Sequence, residues 1–362
     1  MRRAGVLLLA GLLMLSSSGC RRYAGMLPYA REIEDMQLMQ TLGVDGDGEQ
    51  GVAVTASSGQ WDGQAAQVVS GEAGTISAAV LSMQAEGSSY LYFGHVGQLL
   101  LGEELAGRGA GECLDYVLRD VETRLDTALY LVQGGTARQA IEAAAQDGSA
   151  AGRLEAMAQD AGLLAWSMPR TVNEVLSDLT EQGASFAPAI QADSSLTAVG
   201  YGILKDGKLV GWAEGEAALG INLLQSRMDA DVVELPLPDG GTAALRVVGA
   251  RTSVRPVCEN GTLTGLRVEC RVDANLAEGQ ANLEERSLHA ALEKALEERE
   301  SQRIRAALEL AWQLDADYLG LLRTAALVRP WLKDQLTGRD TLDGLSWEVS
   351  VTADLQRSYE AR

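Results

Sequence analysis

The chain is poor in the side chains that most often carry chemistry. It has two histidines, His95 and His289, two phenylalanines, Phe93 and Phe186, and four cysteines in 362 residues. A serine or cysteine nucleophile needs a base within hydrogen-bond reach, usually itself oriented by a carboxylate. No nucleophile-turn signature accompanies either histidine. His289 lies between charged turns of a helical stretch and reads as a surface residue; His95, between Gly94 and Val96 where a strand begins, reads as a hydrogen-bonded structural residue rather than a general base. Aromatics at 5% are too few for a sugar-stacking platform. Positive charge is also short: 30 Lys and Arg face 50 Asp and Glu, a net charge of −20. Such a surface repels phosphate backbones and anionic headgroups, so nucleic acid is not expected as a partner and membrane attachment has to come from elsewhere. Beyond the N-terminal head no apolar run approaches the roughly 18 residues of a membrane-spanning helix.

Sequence motifs for cofactors and metals fail at specific positions. Gly200-Tyr201-Gly202 has Lys205 where a dinucleotide loop needs its third glycine, and it opens a hairpin. Asp45-Gly46-Asp47-Gly48-Glu49 matches the opening of a calcium loop, but Gln50 and Ala56 stand where glycine and a bidentate glutamate are required, so a solvated hairpin turn is expected. Cys113, Cys258 and Cys270 have no zinc-site spacing and are expected to be buried free thiols. If Asn260-Gly261 centres a hairpin turn, Cys258 lies opposite Leu263 and Cys270 opposite Arg251, and no disulfide crosses the hairpin. Carboxylates are plentiful, yet nothing singles out a pair. No catalytic residue, cofactor, metal or small-molecule substrate is expected.

What is present begins at the N-terminus. Arg2 and Arg3 precede an apolar run from Val6 to Leu15, and Ser16-Ser17-Ser18-Gly19 leads into Cys20. This is the layout of a secretory signal, too short to remain as a spanning helix. The cysteine after small residues resembles a bacterial lipobox, although Ser17 stands where leucine is usual. Residues 1–19 are read as a lipoprotein signal peptide, with S-diacylglycerol and an N-acyl chain on Cys20 and a tether over 20–30; a plain signal peptide with an incidental cysteine is the alternative. Each buried methylene contributes about 0.8 kcal/mol, so two acyl chains hold stably where one is marginal. Removing nineteen residues leaves 343, and losing the two arginines makes the mature charge about −22.

Hydrophobic content of 46% with 22% charged residues describes a soluble globular body with a substantial core. Length suggests two domains. Strands are predicted over 37–45, 51–58, 90–93 and 96–101, with helices over 75–84, 111–120, 137–145 and 172–182, giving a mixed α/β N-terminal domain at 31–190. The stretch 182–195, with Gly183, Pro188 and three serines, reads as a boundary. Beyond it, hairpins turn at Asp206-Gly207, Asp239-Gly240-Gly241 and Asn260-Gly261, with a helix over 214–225 between. A long helix is predicted over 282–313, about 48 Å, with Asn282 as N-cap and Glu285 completing a capping box. A helix over 317–328 interrupted by Pro330 and an alternating strand over 347–355 close the chain. The expected C-terminal domain, 196–362 with room for subdivision near 250, is an antiparallel sheet packed on the long helix. The fold class is α+β, or mixed α/β, with more than one domain.

Five segments in order resemble the Ger(x)C family, lipoprotein C subunits of nutrient germinant receptors in spore-forming bacteria. They are Arg31-Glu32-Ile33-Glu34-Asp35 with Thr41-Leu42-Gly43-Val44-Asp45; Tyr92-Phe93-Gly94-His95 leading to Leu99-Leu100-Leu101-Gly102-Glu103-Glu104-Leu105-Ala106; Leu118-Arg119-Asp120-Val121-Glu122-Thr123-Arg124; Lys208-Leu209-Val210-Gly211-Trp212 with Glu216 and Gly220; and Asp315, Asp317, Pro330 and Trp347 ahead of the last strand. The Cys-Trp-Asp opening common in relatives is absent. The resemblance implies a non-catalytic, multi-domain ectodomain held by lipid on the outer face of the spore's inner membrane. It would work through protein contacts with polytopic A and B germinant-receptor subunits, one resembling an amino-acid transporter and one implicated in ion release. A lipid-anchored solute-binding protein of a transporter is the alternative function. That reading requires two repeated parallel lobes, whereas the second half reads as hairpins and a long helix.

Overall fold

The computed structural model describes residues 36–356, except 49, 61–64, 87–88, 147, 165–166, 194, 229, 239, 280–282 and 337–341. Cys20, the tether and Arg31–Asp35 lie outside the described residues, as does Asn282. Continuous apolar runs explain the first sheet. Strands β5 (Gln98–Gly102), β6 (Ala128–Gln133) and β7 (Ala184–Ala192) are buried along nearly their whole length. Strands of this kind need cover on both faces and belong to parallel α/β arrangements. They pair in parallel with one another and with β1 (Met36–Asp47). Antiparallel strands finish both margins: β2 (Gly51–Ser58) and β3 (Val68–Ala73) beyond β1, and β8 (Leu196–Lys205) and β9 (Lys208–Ala213) beyond β7. The short β4 (Tyr90–Tyr92) also pairs with β1.

Alternate side chains of the central strands enter different cores. Leu99, Leu101, Leu129 and Leu131 pack with residues of helices Ile76–Glu86, Glu103–Gly109, Gly111–Arg119 and Val172–Gln182. Leu100, Tyr130 and Val132 face helices Ala137–Gln146 and Ala150–Leu164. Strands β3 and β6 and the helices Glu103–Gly109 and Ala150–Leu164 escaped the sequence patterns. The stretch 182–195, read as a boundary, is a correction: most of it is β7, whose first seven residues are buried. Pro188 is tolerated there, and the sheet continues through β9.

The second sheet is a ladder of β10 (Asp231–Pro236), β11 (Thr242–Glu259), β12 (Thr262–Glu278) and β13 (Ser346–Gln356). The Asn260-Gly261 turn has φ of 51° and 81°, and Asp206-Gly207 has 50° and 73°, the left-handed pair that two-residue hairpins need. Cys258 does lie opposite Leu263, but Cys270 meets Thr252 rather than Arg251, because an irregularity at Val257/Cys258 shifts the register by one. Cys113 and Cys270 are buried free thiols; Cys258, near the tip of the hairpin, is exposed instead. The expected antiparallel order holds for β10 to β12. The last strand, β13, runs parallel to β12. Helix Arg286–Gln313, about 42 Å at 1.5 Å per residue, carries the chain back along the sheet so that β13 re-enters in the direction of β12. That helix starts at Arg286 with Glu285 as its N-cap, not as the third residue of a capping box. The following helix spans Leu321–Val328, four residues shorter at its start than expected. The fold is α+β with mixed sheets, and both sheets lie within one compact unit, Leu38–Arg362.

Candidate interaction surface

The hairpin turn Asp206-Gly207 touches the helical layer of the first sheet. Ala110, between helices Glu103–Gly109 and Gly111–Arg119, donates its N–H to the Gly207 carbonyl at 2.7 Å. On the other side, Arg108 donates to the Gly48 and Gly51 carbonyls, each at 2.8 Å, and fixes the β1–β2 turn. Between these clamps lies an open groove of about 1120 Å³. Its rim carries Arg108, Arg119 and Lys208 against Glu112, Asp115, Asp120 and Asp206, with Leu105, Ile76 and Tyr116 supplying apolar surface. Both charge signs on an open wall suit a polypeptide segment better than a small enclosed ligand.

Residues of the resembling segments do structural work around this groove. The Glu103 carboxylate accepts the Gly134 N–H at 2.5 Å and the Trp212 indole N–H at 3.2 Å, tying the helix start to β9. In Leu118–Arg124, Glu122 accepts from the Phe93 N–H and the Tyr90 hydroxyl, each at 3.2 Å, and Thr123 donates to the Val117 carbonyl at 2.7 Å. The apolar members of that segment point outward: Leu118 is 57% exposed and Val121 is 87% exposed. Asp45 corrects the expectation of a solvated turn. Its carboxylate is buried and accepts the N–H groups of Ala137 and Arg138 at 2.7 and 2.9 Å, capping that helix. Burial raises its pKa, opposed by those two hydrogen bonds.

A buried ionic cluster joins the long helix to helix Gly215–Leu224 and to the second sheet. From the long helix, Arg303 donates to Asp231 of β10 at 2.6 Å and to Glu300 at 2.8 Å, and its Nε lies 3.5 Å from Glu216. Arg299 holds the other Glu216 oxygen at 2.7 Å. Glu300 is fully buried, and burial pushes its carboxyl up to about 7 against the pull of Arg303. Sequence patterns did not single these charges out. A signal was available: Leu292, Leu296, Ile304 and Leu308 recur every four residues with Glu300 in the vacant place. One turn along from Glu216, Gly220 lets its helix lie against the long one; a Cβ there would collide with the Arg303 carbonyl. Asp317 accepts the N–H groups of Leu321 and Leu322, both at 2.8 Å, and burial raises its pKa to about 6.

Neither histidine takes part in a nucleophile arrangement. His95 is exposed at a turn, edge-on to the Tyr92 ring at 5.9 Å, rather than a hydrogen-bonded structural residue. His289 is half-buried rather than on the surface: its Nε2 lies 2.8 Å from the Leu355 carbonyl, so that nitrogen carries the proton and donates. With Glu293 and Glu297, which accept the Leu355 and Ala353 N–H groups at 3.2 Å, it covers the open edge of β13. Among the described residues no group of three or more His, Cys, Asp or Glu is arranged to hold a metal, and no helix is long and apolar enough to cross a membrane.

Two family models match in succession: the spore germination protein N-terminal domain over residues 29–192 and the spore germination B3/GerAC-like C-terminal domain over 199–358. The chain belongs to the Ger(x)C spore germination family. YfkR of Bacillus subtilis (strain 168), a protein named for spore germination, is 27% identical over 304 residues, covering 78% of this chain and 75% of YfkR. The crystal structure of the GerBC protein matches with a TM-score of 0.60 at 16% identity, covering 87% of this chain and 96% of that one, and so shares the fold. The seam between the Ger(x)C models falls at the β7–β8 hairpin, inside the first sheet.

Proposed function

We propose that this Ger(x)C chain is the lipid-anchored, non-catalytic C subunit of a nutrient germinant receptor, coupled to polytopic A and B subunits through protein contacts. The observation that carries the reading is convergence. Leu105, Arg119 with Asp120, and Lys208 come from three separate segments that resemble the family, and all line one groove. Nothing about their chemistry forms an acid–base pair with a nucleophile. Their setting supports recognition, with charged side chains of both signs around an apolar floor and Leu118 and Val121 exposed nearby. Halves 31–190 and 196–362 are its two proposed domains; their sharing of one sheet supports transmission of contact at the groove to the whole body.

Lipid on Cys20 supplies the attachment in this reading, at the outer face of the spore's inner membrane. The solute-binding alternative gains nothing, since the two sheets are built differently and form no repeated pair of parallel lobes. Deletion is expected to block germination by some nutrients while spores still form. Lys208→Glu is expected to keep normal protein abundance and lose the same responses. Normal germination in both strains would overturn the receptor role. Cys20→Ala is expected to release the protein from membranes or prevent its accumulation; unchanged retention would contradict the anchor alone.

A further inference from the structure

The acidic surface has a local exception. From Arg323 to Lys333 the chain carries three cations and no anion, within a protein of net charge −20. Arg323 is engaged with Glu181 at 2.6 Å, and Arg329 lies toward the end of the segment at an exposed position. Helix Leu321–Val328 ends here, and Pro330 starts a single 3-10 turn, Pro330–Leu332. Leu327 is 72% exposed, Val328 42% and Trp331 60%. A lone exposed leucine needs no explanation, but three large apolar side chains within five residues form a patch.

This patch is held in place. Ala325 before it is fully buried and so is Leu332 after it. The Arg329 N–H donates to the Ala325 carbonyl, and the Leu332 N–H to the Arg329 carbonyl, each at 2.9 Å. Trp331 is therefore presented outward from a turn anchored on both sides. The Arg329 guanidinium sits 5.4 Å over its ring, so cation and indole project together. A tryptophan with an arginine and aliphatic neighbours suits the boundary between lipid headgroups and acyl chains, where the ring is half-wet and the cation meets phosphate.

The tether gives this patch a job. Fifteen residues separate Cys20 from Met36, and the sixteen steps between them reach at most about 55 Å at full extension. Attachment at a single residue confines the body without by itself orienting it. We propose that Leu327, Val328, Arg329 and Trp331 form a second membrane contact, which seats in the headgroup layer of an anionic bilayer and sets the orientation of the anchored body. This deepens the lipid-anchor reading and rests on it for the membrane being near.

The test uses the full chain on vesicles of phosphatidylglycerol mixed with phosphatidylcholine brominated in its acyl chains, read by quenching of tryptophan fluorescence. The wild type is expected to show a quenched component that falls at least threefold in Trp331→Phe, and at least threefold when the vesicles contain phosphatidylcholine alone. Arg329→Glu, at an exposed position that leaves the fold intact, is expected to lower it by a similar factor. Equal quenching in wild type and Trp331→Phe would overturn the contact, as would equal quenching on neutral and anionic vesicles. Shielding of Trp331 that appears only when polytopic subunits are reconstituted with it would overturn it in favour of a protein partner. The mass of Cys20 is read on the same sample: an unmodified thiol sinks the anchor, while quenching by added vesicles still decides the patch.

Discussion

In β6 four consecutive residues, Leu129 to Val132, are buried, whereas along β12 buried Leu266, Val268, Cys270 and Val272 alternate with exposed Arg267, Glu269 and Arg271. The first sheet carries helices on both faces, so the centres of its middle strands are apolar on consecutive residues. The second has one face against the long helix and its neighbours and the other in solvent. Alternation leaves a clear period of two in the sequence; a continuous apolar run does not distinguish a strand from a buried helix. This is why hairpins of the second sheet were predicted and β6 was missed.

The largest expected effect breaks the join between the two regions. Gly220→Leu drives a side chain into the Arg303 carbonyl, forcing apart helices that connect the first sheet to the second, and is expected to cost about 3 kcal/mol or more in a urea unfolding curve. An alanine scan then tests the contrast itself. Leu129, Leu131 and Val132 should each cost about 2–4 kcal/mol, while along β12 only Leu266, Val268 and Val272 should, with Arg267, Glu269 and Arg271 near zero, within about 0.5 kcal/mol. A uniform cost along β12 would abolish the distinction.

Buried carboxyls of the second region make stability depend on pH. The folded Glu300 carboxyl titrates at about 7, above its ordinary value of 4.5. Between those values the unfolded chain has released this proton and the folded chain has not, so Glu300 makes stability fall as pH rises through the window. Glu300→Gln should flatten the profile between pH 6 and 7 by on the order of 1 kcal/mol. Asp317, raised to about 6 from 3.8, acts with the same sign at lower pH, and its contribution should survive in that variant. A denaturation series across pH reads both.

Smaller effects lie at the surface. Helix Val172–Gln182 opens with a complete capping box, Thr171 and Glu174 serving each other's backbone N–H groups. Thr171→Ala should cost about 1 kcal/mol. The exposed Arg267–Glu348 pair bridges β12 to β13 at 2.7 Å, and a double-mutant cycle there should give at most about 0.5–1 kcal/mol, falling with salt. Together these rank local devices below the packing that distinguishes the two sheets.

The candidate surface was legible only in pieces. Its segments could be recognised one by one, but Arg108 carried no signal, because its partners are backbone carbonyls of a turn some sixty positions away. Asp45 was read as part of a solvated turn because a carboxylate's local spacing does not announce that a distant helix needs a cap.

Short-range chemistry determined what the sequence could announce alone: turns at Asp206-Gly207 and Asn260-Gly261, the helix that Thr171 starts, the alternating last strand, and membership in a family of ordered motifs. Those features depend on residues within a few positions of one another, where sterics and hydrogen bonding act directly. Tertiary structure decided the rest: the parallel direction of β13, the inclusion of 184–192 in a sheet centre, the burial of Glu300 and the meeting of three segments at one groove. Each depends on which distant surfaces exclude water from each other, and that is fixed only when the whole chain has packed.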